Sequence, residues 1–120
     1  MEIRLSDAEI TVMQLLWKNG DMRASELAEA AKAEKGWEKN TTYTLINRLI
    51  KKNAVERIDP DFNCKALVDE TMIRKTEAKG LLDKLYSGSF NLFVQSFLKD
   101  ETITDDEMDE LVKIINEKRR

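Results

Sequence analysis

The chain has 120 residues, of which 42% are hydrophobic and 36% charged, so we expect one globular domain, or one small domain with an appendage. It has no histidine and one cysteine, which removes the usual general base, the commonest metal ligand and any internal disulfide. No apolar run is long enough to span a membrane and no signal peptide opens the chain, so we expect a cytoplasmic protein without membrane insertion of its own.

The charge is unevenly distributed along the sequence. Residues 1–68 hold 11 Lys and Arg against 11 Asp and Glu, whereas residues 69–120 hold 9 against 12. Within residues 39–57 there are five cations and a single carboxylate, Glu56. An acidic protein can bind DNA when its positive charge is concentrated on one face. The net charge of −3 therefore does not exclude nucleic acid, and the local cluster points toward it.

Two helices are predicted first. Ser6–Glu9 has the form of a capping box, and the first helix should end near Gly20 in the left-handed conformation that glycine tolerates. Its buried side should carry Ile10, Met13, Leu16 and Trp17. After a connector that can hold one brief strand, a second helix is predicted from about Ala24 to Glu34, with Gly36 breaking it.

Residues 37–52 are predicted to form an amphipathic third helix. One apolar stripe has members at i, i+3, i+4 and i+7: Thr42, Leu45, Ile46 and Leu49. The opposite, carboxylate-free stripe consists of Asn40, Tyr43, Thr44, Asn47 and Lys51. Asn can bond adenine edges, a Thr methyl can touch thymine, and Lys can neutralise phosphate, so this face suits the major groove. The alternative is the solvated face of an ordinary helix.

A β-hairpin is predicted after the third helix. Val55–Ile58 alternates like a strand, residues 59–63 have turn chemistry around Pro60, and Cys64–Val68 reads as the returning strand. Three helices followed by a hairpin is the order of a winged helix-turn-helix, in which the third helix enters the major groove and the hairpin lies beside the backbone. This order favours DNA binding over the solvated-face alternative.

Three more helices are predicted in the C-terminal part. A long fourth helix ends at Ser87–Gly88, a short fifth repeats phenylalanine at helical spacing, and a capping box at Thr104–Glu107 opens the sixth. These helices have more apolar residues than so thin an appendage can hide. They could pack onto residues 1–68, but we predict self-association, because symmetric dimers are common and suit two DNA half-sites. The predicted interface comprises Leu82, Leu85, Tyr86, Phe90, Phe93, Val94, Phe97, Met108, Leu111, Val112 and Ile115.

The chain resembles the BlaI/MecI/CopY family of bacterial repressors, which includes the penicillinase repressors and their copper-responsive relatives. The matching residues are Leu5–Glu9 with Met13 and Trp17; Trp37, Thr41, Thr44–Ile46, Arg48–Leu49 and Lys51–Lys52; Lys84–Asn91; and Asp106–Leu111. The match covers nearly the whole chain. It implies a mainly α, non-enzymatic, homodimeric repressor of a palindromic DNA operator, controlling β-lactam resistance or related genes. The implied domains are a winged helix over residues 1–69 and a three-helix dimerisation region over residues 70–120.

The predicted DNA contacts combine the polar stripe with nearby cations. Lys51, Lys52 and Arg57 are assigned to phosphate, whereas Arg48 could instead pair with an internal carboxylate. The wing tip is acidic, so Arg57 and Lys65 on the strands are better phosphate ligands than the tip itself. The full predicted set is Asn40, Thr41, Tyr43, Thr44, Asn47, Arg48, Lys51, Lys52, Arg57 and Lys65.

The resemblance leaves the switching signal open. The β-lactam branch is cut by a membrane-bound sensor metalloprotease at an Asn-Phe bond in the fifth helix, and the corresponding bond here is Ser96-Phe97. The copper branch has a C-terminal cysteine cluster that binds Cu(I), but this chain ends in NEKRR. We therefore expect no metal or other cofactor, and Cys64 is predicted to be a small apolar residue of a wing strand.

Two other function classes compete with a repressor. An enzyme has little support, because the sequence lacks histidine, a Gly-rich phosphate loop and a metal-ligand cluster. A helical protein-interaction module could instead use Phe90, Phe93 and Phe97 to bind another protein. Salt dependence separates these classes, because binding through phosphate contacts weakens steeply with salt and a hydrophobic contact hardly responds.

Overall fold

A computed structural model describes residues 3–100 and 103–120. The elements in chain order are α1 (Asp7–Asn19), β1 (Met22–Arg23), α2 (Ala24–Lys35), α3 (Lys39–Lys51), β2 (Val55–Ile58), β3 (Asn63–Ala66), α4 (Glu70–Leu85), α5 (Phe90–Leu98) and α6 (Asp105–Arg119). The chain divides into two compact units, an amino-terminal unit (Met1–Thr76) and a carboxy-terminal unit (Glu77–Arg120), with the division inside α4. The assignment of separate functions to residues 1–69 and 70–120 stays a prediction.

The predicted caps of α1 set its two ends. The Ser6 hydroxyl accepts a hydrogen bond from the Glu9 amide at 3.1 Å, and the Ser6 amide donates to the Glu9 carboxylate at 2.7 Å, which confirms the capping box. At the other end, Gly20 has φ 81° and ψ −165°. The predicted left-handed helical conformation is therefore wrong in ψ, because the chain extends there to enter β1. The positive φ still explains why glycine occupies this position.

Helices α1, α2 and α3 share one hydrophobic core. The predicted apolar stripe of α3 is confirmed, since Thr42, Leu45, Ile46 and Leu49 are all buried. Small residues on α2, among them Ala28 and Ala31, are buried too and permit close helix packing. Trp17 is only half-buried, and its indole nitrogen donates to the Val68 carbonyl at 3.0 Å. This core holds α3 by one side and leaves its other side for function.

A three-stranded antiparallel sheet with the order β1-β3-β2 completes the amino-terminal unit. The predicted brief strand before α2 and the hairpin are both confirmed. The returning strand ends at Ala66 rather than at Val68, because the Leu67 amide turns aside to the Ala54 carbonyl at 2.8 Å. Cys64 is fully buried in β3, and burial raises the pKa of its thiol to about 11 although Arg57 acts in the opposite direction. Its predicted place as an apolar wing residue is confirmed.

The carboxy-terminal unit has capped helices, but its described residues form no deep core. The Ser89 hydroxyl accepts from the Leu92 amide at 3.0 Å at the start of α5, and the predicted capping box at Thr104 opens α6. The Phe93 ring lies 5.2 Å from the Tyr86 ring and 5.0 Å from the Phe97 ring, measured between centroids. No described side chain of α5 or α6 is buried. Within the described ranges, none of the helices combines the length and apolarity that a membrane crossing requires.

Candidate nucleic-acid interface

The exposed side of α3 brings four of the predicted DNA-binding residues together. Asn40, Thr41, Thr44 and Arg48 line one shallow depression, with Leu45 at its base on the buried side. The Thr44 hydroxyl donates to the Asn40 carbonyl at 2.9 Å, so its proton is used within the helix. Its methyl group and its hydroxyl oxygen stay available to a ligand. The depression therefore offers an amide, a guanidinium and two threonines, with no carboxylate on the helix to repel phosphate.

Tyr43 occupies a different environment from the open polar face that periodicity predicts. Its side chain is half-buried, and its ring meets Phe62 of the wing edge-on at 5.9 Å between centroids. The Lys39 ammonium lies 5.6 Å from the Tyr43 ring centroid. Tyr43 therefore joins the helix to the wing, because a hairpin residue distant in sequence covers one side of its ring.

Lys52 pairs with an internal carboxylate, an interaction that the sequence had suggested for Arg48 instead. Its ammonium lies 2.7 Å from Oε1 of the buried Glu9 and donates to the Arg4 carbonyl at 2.9 Å. Burial pushes the pKa of Glu9 upward, but the hydrogen bonds from Lys52 and Ser6 outweigh it, and the pKa is lowered. Glu9 is therefore ionised at neutral pH, and the pair ties the end of α3 to α1. Arg48 is exposed and forms no ion pair with any described residue.

The wing carries the other predicted phosphate ligands. Arg57 donates from Nε to Asp59 at 2.9 Å, and its guanidinium carbon lies 3.8 Å from the Phe62 ring centroid. Lys65 is exposed on β3 and stands opposite Glu56 in the antiparallel register. One of the two tip carboxylates is thus paired with Arg57.

Asn47 and Lys51 are exposed on α3, as predicted.

The predicted self-association residues lie in the carboxy-terminal unit with different exposures. Four are half-buried within this unit, namely Leu82, Tyr86, Phe93 and Val94. The others are exposed in the single chain: Leu85, Phe90, Phe97, Met108, Leu111, Val112 and Ile115. Ile114, which is 60% exposed, is missing from the predicted set although it lies three residues after Leu111. Its position beside Ile115 was the available signal.

The Ser96-Phe97 bond lies inside α5. Both side chains are exposed, and the Ser96 hydroxyl donates to the Phe93 carbonyl at 2.6 Å. The residues that the structure describes contain no group of His, Cys, Asp or Glu side chains arranged to hold a metal ion.

Comparison with known proteins decides the family. The family model described as Penicillinase repressor matches residues 5–117. The chain belongs to the penicillinase repressor family. This is a family of DNA-binding transcriptional repressors rather than enzymes, as the sequence analysis predicted.

Several members resemble the chain over almost its whole length. The methicillin resistance regulatory protein MecI of Staphylococcus aureus strain N315 is 34% identical over 116 residues, which cover 95% of this chain and 94% of that protein. The penicillinase repressor of Staphylococcus aureus is 30% identical over 118 residues, covering 97% of this chain and 94% of the relative. The penicillinase repressor of Bacillus licheniformis is 28% identical over 116 residues, covering 95% and 91%.

Solved structures of the repressor BlaI match the fold. The solution structure of the DNA-binding domain of the repressor BlaI has a TM-score of 0.55 and 29% identity, covering 58% of this chain and 88% of that chain. The solution structure of monomeric Bacillus licheniformis BlaI in complex with the blaP half-operator has a TM-score of 0.52 and 30% identity, covering 59% and 90%. The predicted mainly α, winged-helix fold is confirmed, with six helices among the residues that the structure describes.

Proposed function

We propose that this repressor binds a palindromic operator as a homodimer in the cytoplasm and controls β-lactam resistance or related genes. The observation that carries the proposal is the exposed, carboxylate-free face of α3, where Asn40, Thr41, Thr44 and Arg48 converge on one depression. The relatives named as methicillin resistance regulator and penicillinase repressor support the proposed class of regulated genes. The BlaI complex with a half-operator supports docking through the winged helix.

In this proposal the DNA contacts fall into two groups. Asn40, Thr41, Thr44 and Asn47 read base edges in the major groove, because their short side chains are exposed on one helix face. Phosphates are bound by Arg48, Lys51, Arg57 and Lys65, which carry the positive charge around that face. Tyr43 and Lys52 support the helix from its two flanks, through Phe62 and Glu9, and their exposed parts border the DNA.

Homodimerisation is supported by the apolar surface of the carboxy-terminal unit. Leu85 and Phe90 are each 64% exposed, and Val112 and Ile115 are each 56% exposed in the single chain. Exposed apolar side chains concentrated in one region of a chain mark interaction sites in proteins. A second copy of the chain brings the same residues to a two-fold axis, and the resulting dimer presents two recognition helices to two half-sites.

Release of the operator is proposed to follow a cut at Ser96-Phe97 by a membrane-bound sensor metalloprotease. Helix α5 has nine residues and no buried side chain, so it is short enough to unwind locally and expose the bond. The cut separates α6 from the rest of the chain and weakens the dimer without touching α3. The replacement of the family's Asn by Ser96 favours a second candidate, a repressor of the same family that responds to another signal, such as a metal or stress.

The two switching candidates are separated by a cleavage assay. The repressor is incubated with the membrane fraction of induced cells that carry its gene, and any fragments are mapped by mass. Fragments ending at Ser96 support the protease, which must then tolerate the missing Asn. A chain that stays intact while its operator is derepressed contradicts cleavage and leaves the other signal as the switch.

The salt dependence of DNA binding tests the proposed function itself. The duplex upstream of the repressor's own gene is titrated over a series of salt concentrations, and log affinity should fall linearly with log salt, with a slope near −0.9 per phosphate contact. Lys51→Ala should reduce this slope by about one. Lys113→Ala, which removes an exposed cation from α6, should leave it unchanged. An affinity that hardly responds to salt would contradict DNA binding and favour a protein-interaction module.

A further inference from the structure

A stack of side chains runs from α3 to the tip of the wing. The Lys39 ammonium lies 5.6 Å from the Tyr43 ring centroid, and the Tyr43 ring meets Phe62 edge-on at 5.9 Å. On the same Phe62 ring lies the Arg57 guanidinium, 3.8 Å from the centroid, and Arg57 also donates to Asp59 at 2.9 Å. We call Lys39, Tyr43, Phe62, Arg57 and Asp59 the wing stack. Its central member, Phe62, is absent from the predicted DNA contacts.

The backbone of Phe62 is held at two points. Its φ of 50° is in the left-handed region, which a non-glycine residue occupies only when its surroundings require it. Its carbonyl accepts a hydrogen bond from the Ala24 amide at 2.9 Å, at the first residue of α2. The backbone of Phe62 is therefore anchored to α2 and its ring contacts Tyr43, so the ring offers Arg57 a positioned surface.

The contacts of Arg57 leave one edge of its guanidinium available. Nε is occupied by Asp59 and the ring of Phe62 covers one face. Within residues 3–100 and 103–120, Asp59 is the single carboxylate that pairs with Arg57, and the hydrogen bond between them comes from Nε. A planar guanidinium binds phosphate through two parallel hydrogen bonds, and fixing its plane beforehand reduces the entropy lost on binding.

We propose that Phe62 and Asp59 are positioning residues that hold Arg57 as a preorganised clamp for one DNA backbone phosphate. The clamp explains how a wing tip with two carboxylates, Asp59 and Asp61, can lie beside DNA. Asp59 is neutralised by the cation that it orients, because the contact between them runs through Nε of Arg57. This inference rests on the proposed DNA-binding function.

The first test uses mixed-sequence duplex DNA, because a phosphate contact does not depend on the operator. Arg57→Ala should weaken binding roughly tenfold and reduce the salt slope by about one. Phe62→Leu keeps every charge but removes the stacked ring, and should weaken binding roughly two- to fivefold. Phe62→Tyr retains the ring and should bind as the wild type does. If Phe62→Leu binds as tightly as the wild type, the clamp is refuted.

A double-mutant cycle shows whether Phe62 acts through Arg57. In the Arg57→Ala background, Phe62→Leu should have no further effect, because no guanidinium remains to be positioned. An equal loss in both backgrounds would overturn the proposal and assign Phe62 a purely structural role. If the wild type itself has no affinity for duplex DNA, the proposed function fails instead, so the two failures are distinguishable.

Asp59→Asn gives an independent test should Phe62→Leu fail to fold. If Asp59 only adds negative charge, its neutralisation strengthens DNA binding, since it removes repulsion from phosphate. Under the clamp, the variant binds more weakly, because the guanidinium loses its charged partner. Asp61→Asn is the matched control at the same tip and should strengthen binding slightly. Unchanged or tighter binding by Asp59→Asn overturns the assignment.

Discussion

Helices α3 and α5 are both strongly amphipathic, but the apolar face of α3 is buried whereas that of α5 is largely exposed in the single chain. The apolar stripe of α3 packs into the core, where Ile46 and Leu49 have no solvent exposure. In α5 the corresponding face of the single chain stays accessible, with Phe90 64% and Phe97 40% exposed. Periodicity therefore predicts which residues share a face, but the surrounding chain decides whether that face is covered.

The same contrast separates the two compact units. The amino-terminal unit closes its core with three helices and a sheet, so it can hold a recognition surface without outside help. In the carboxy-terminal unit no described residue of α5 or α6 is buried. We infer that the first unit is complete in one chain and that the second requires a second copy.

The largest effect is expected from Phe97→Ala. If Phe97 is buried at the dimer interface, truncation should cost about 3–5 kcal/mol, as for other buried Phe residues. The dimer should then dissociate at much higher protein concentration than the wild-type dimer, as measured by sedimentation. Operator affinity should fall with it, because a single half-site supplies half of the contacts. An unchanged dissociation constant would place Phe97 outside the interface.

Leu49→Ala is the counterpart in the amino-terminal unit. Leu49 is fully buried, so the free energy of unfolding should fall by about 2–5 kcal/mol. Denaturant unfolding should report the same loss at low and high protein concentration, because this core lies within one chain. A loss that depends on concentration would show that the amino-terminal unit is not self-sufficient.

Glu9→Gln should produce a smaller, pH-dependent loss. The pKa of Glu9 is lowered in the folded chain from an ordinary value of 4.5, so its pair with Lys52 stabilises the fold above that pH. The contribution should vanish as the pH falls through the lowered folded-state pKa. We expect about 1–2 kcal/mol at pH 7, since Lys52 is partly exposed and solvent screens the pair. Gln can still complete the capping box.

The matched control for this prediction is Glu29→Gln, which alters an exposed carboxylate of α2. Its free energy of unfolding should follow that of the wild type at every pH. If Glu9→Gln lowers the free energy of unfolding by the same amount at acidic pH, the ion pair is not the cause of the loss.

Much of the fold could be predicted because its signals are local. Ser6 and Thr104 each stand three residues before a glutamate, and both form the predicted capping boxes. Asn53, two residues after α3, has a φ of 60° in the left-handed region, which asparagine adopts more readily than most residues. These features depend on residues within one turn of each other, so a single sequence contains the information.

The missed features are contacts between residues far apart in sequence. Lys52 pairs with Glu9, which lies 43 positions earlier in the sequence. Tyr43 contacts Phe62, and the orientation of the Phe62 ring depends on the geometry of the wing turn. Helical spacing placed Tyr43 on α3 and Lys52 at its end but could not show which neighbours they would reach. For the candidate site, sequence predicted the face of the helix and not the network that supports it.

The smallest effect expected is that of Phe97→Ala on the reactivity of Cys64. Its thiol is buried and has a pKa of about 11, so alkylation at pH 8 should require opening of the amino-terminal unit. Phe97→Ala should therefore leave the labelling rate unchanged, whereas Leu49→Ala should raise it. Faster labelling in Phe97→Ala would mean that the two units are coupled in stability.

Base recognition by the exposed face of α3 is tested most directly with Asn40→Ala. The variant and the wild type are titrated against the operator upstream of the repressor's own gene and against a scrambled duplex at one salt concentration. A lost base contact should cost roughly 1–3 kcal/mol on the operator and nothing on the scrambled duplex. Equal weakening on both duplexes, or none on either, would contradict base reading by this helix.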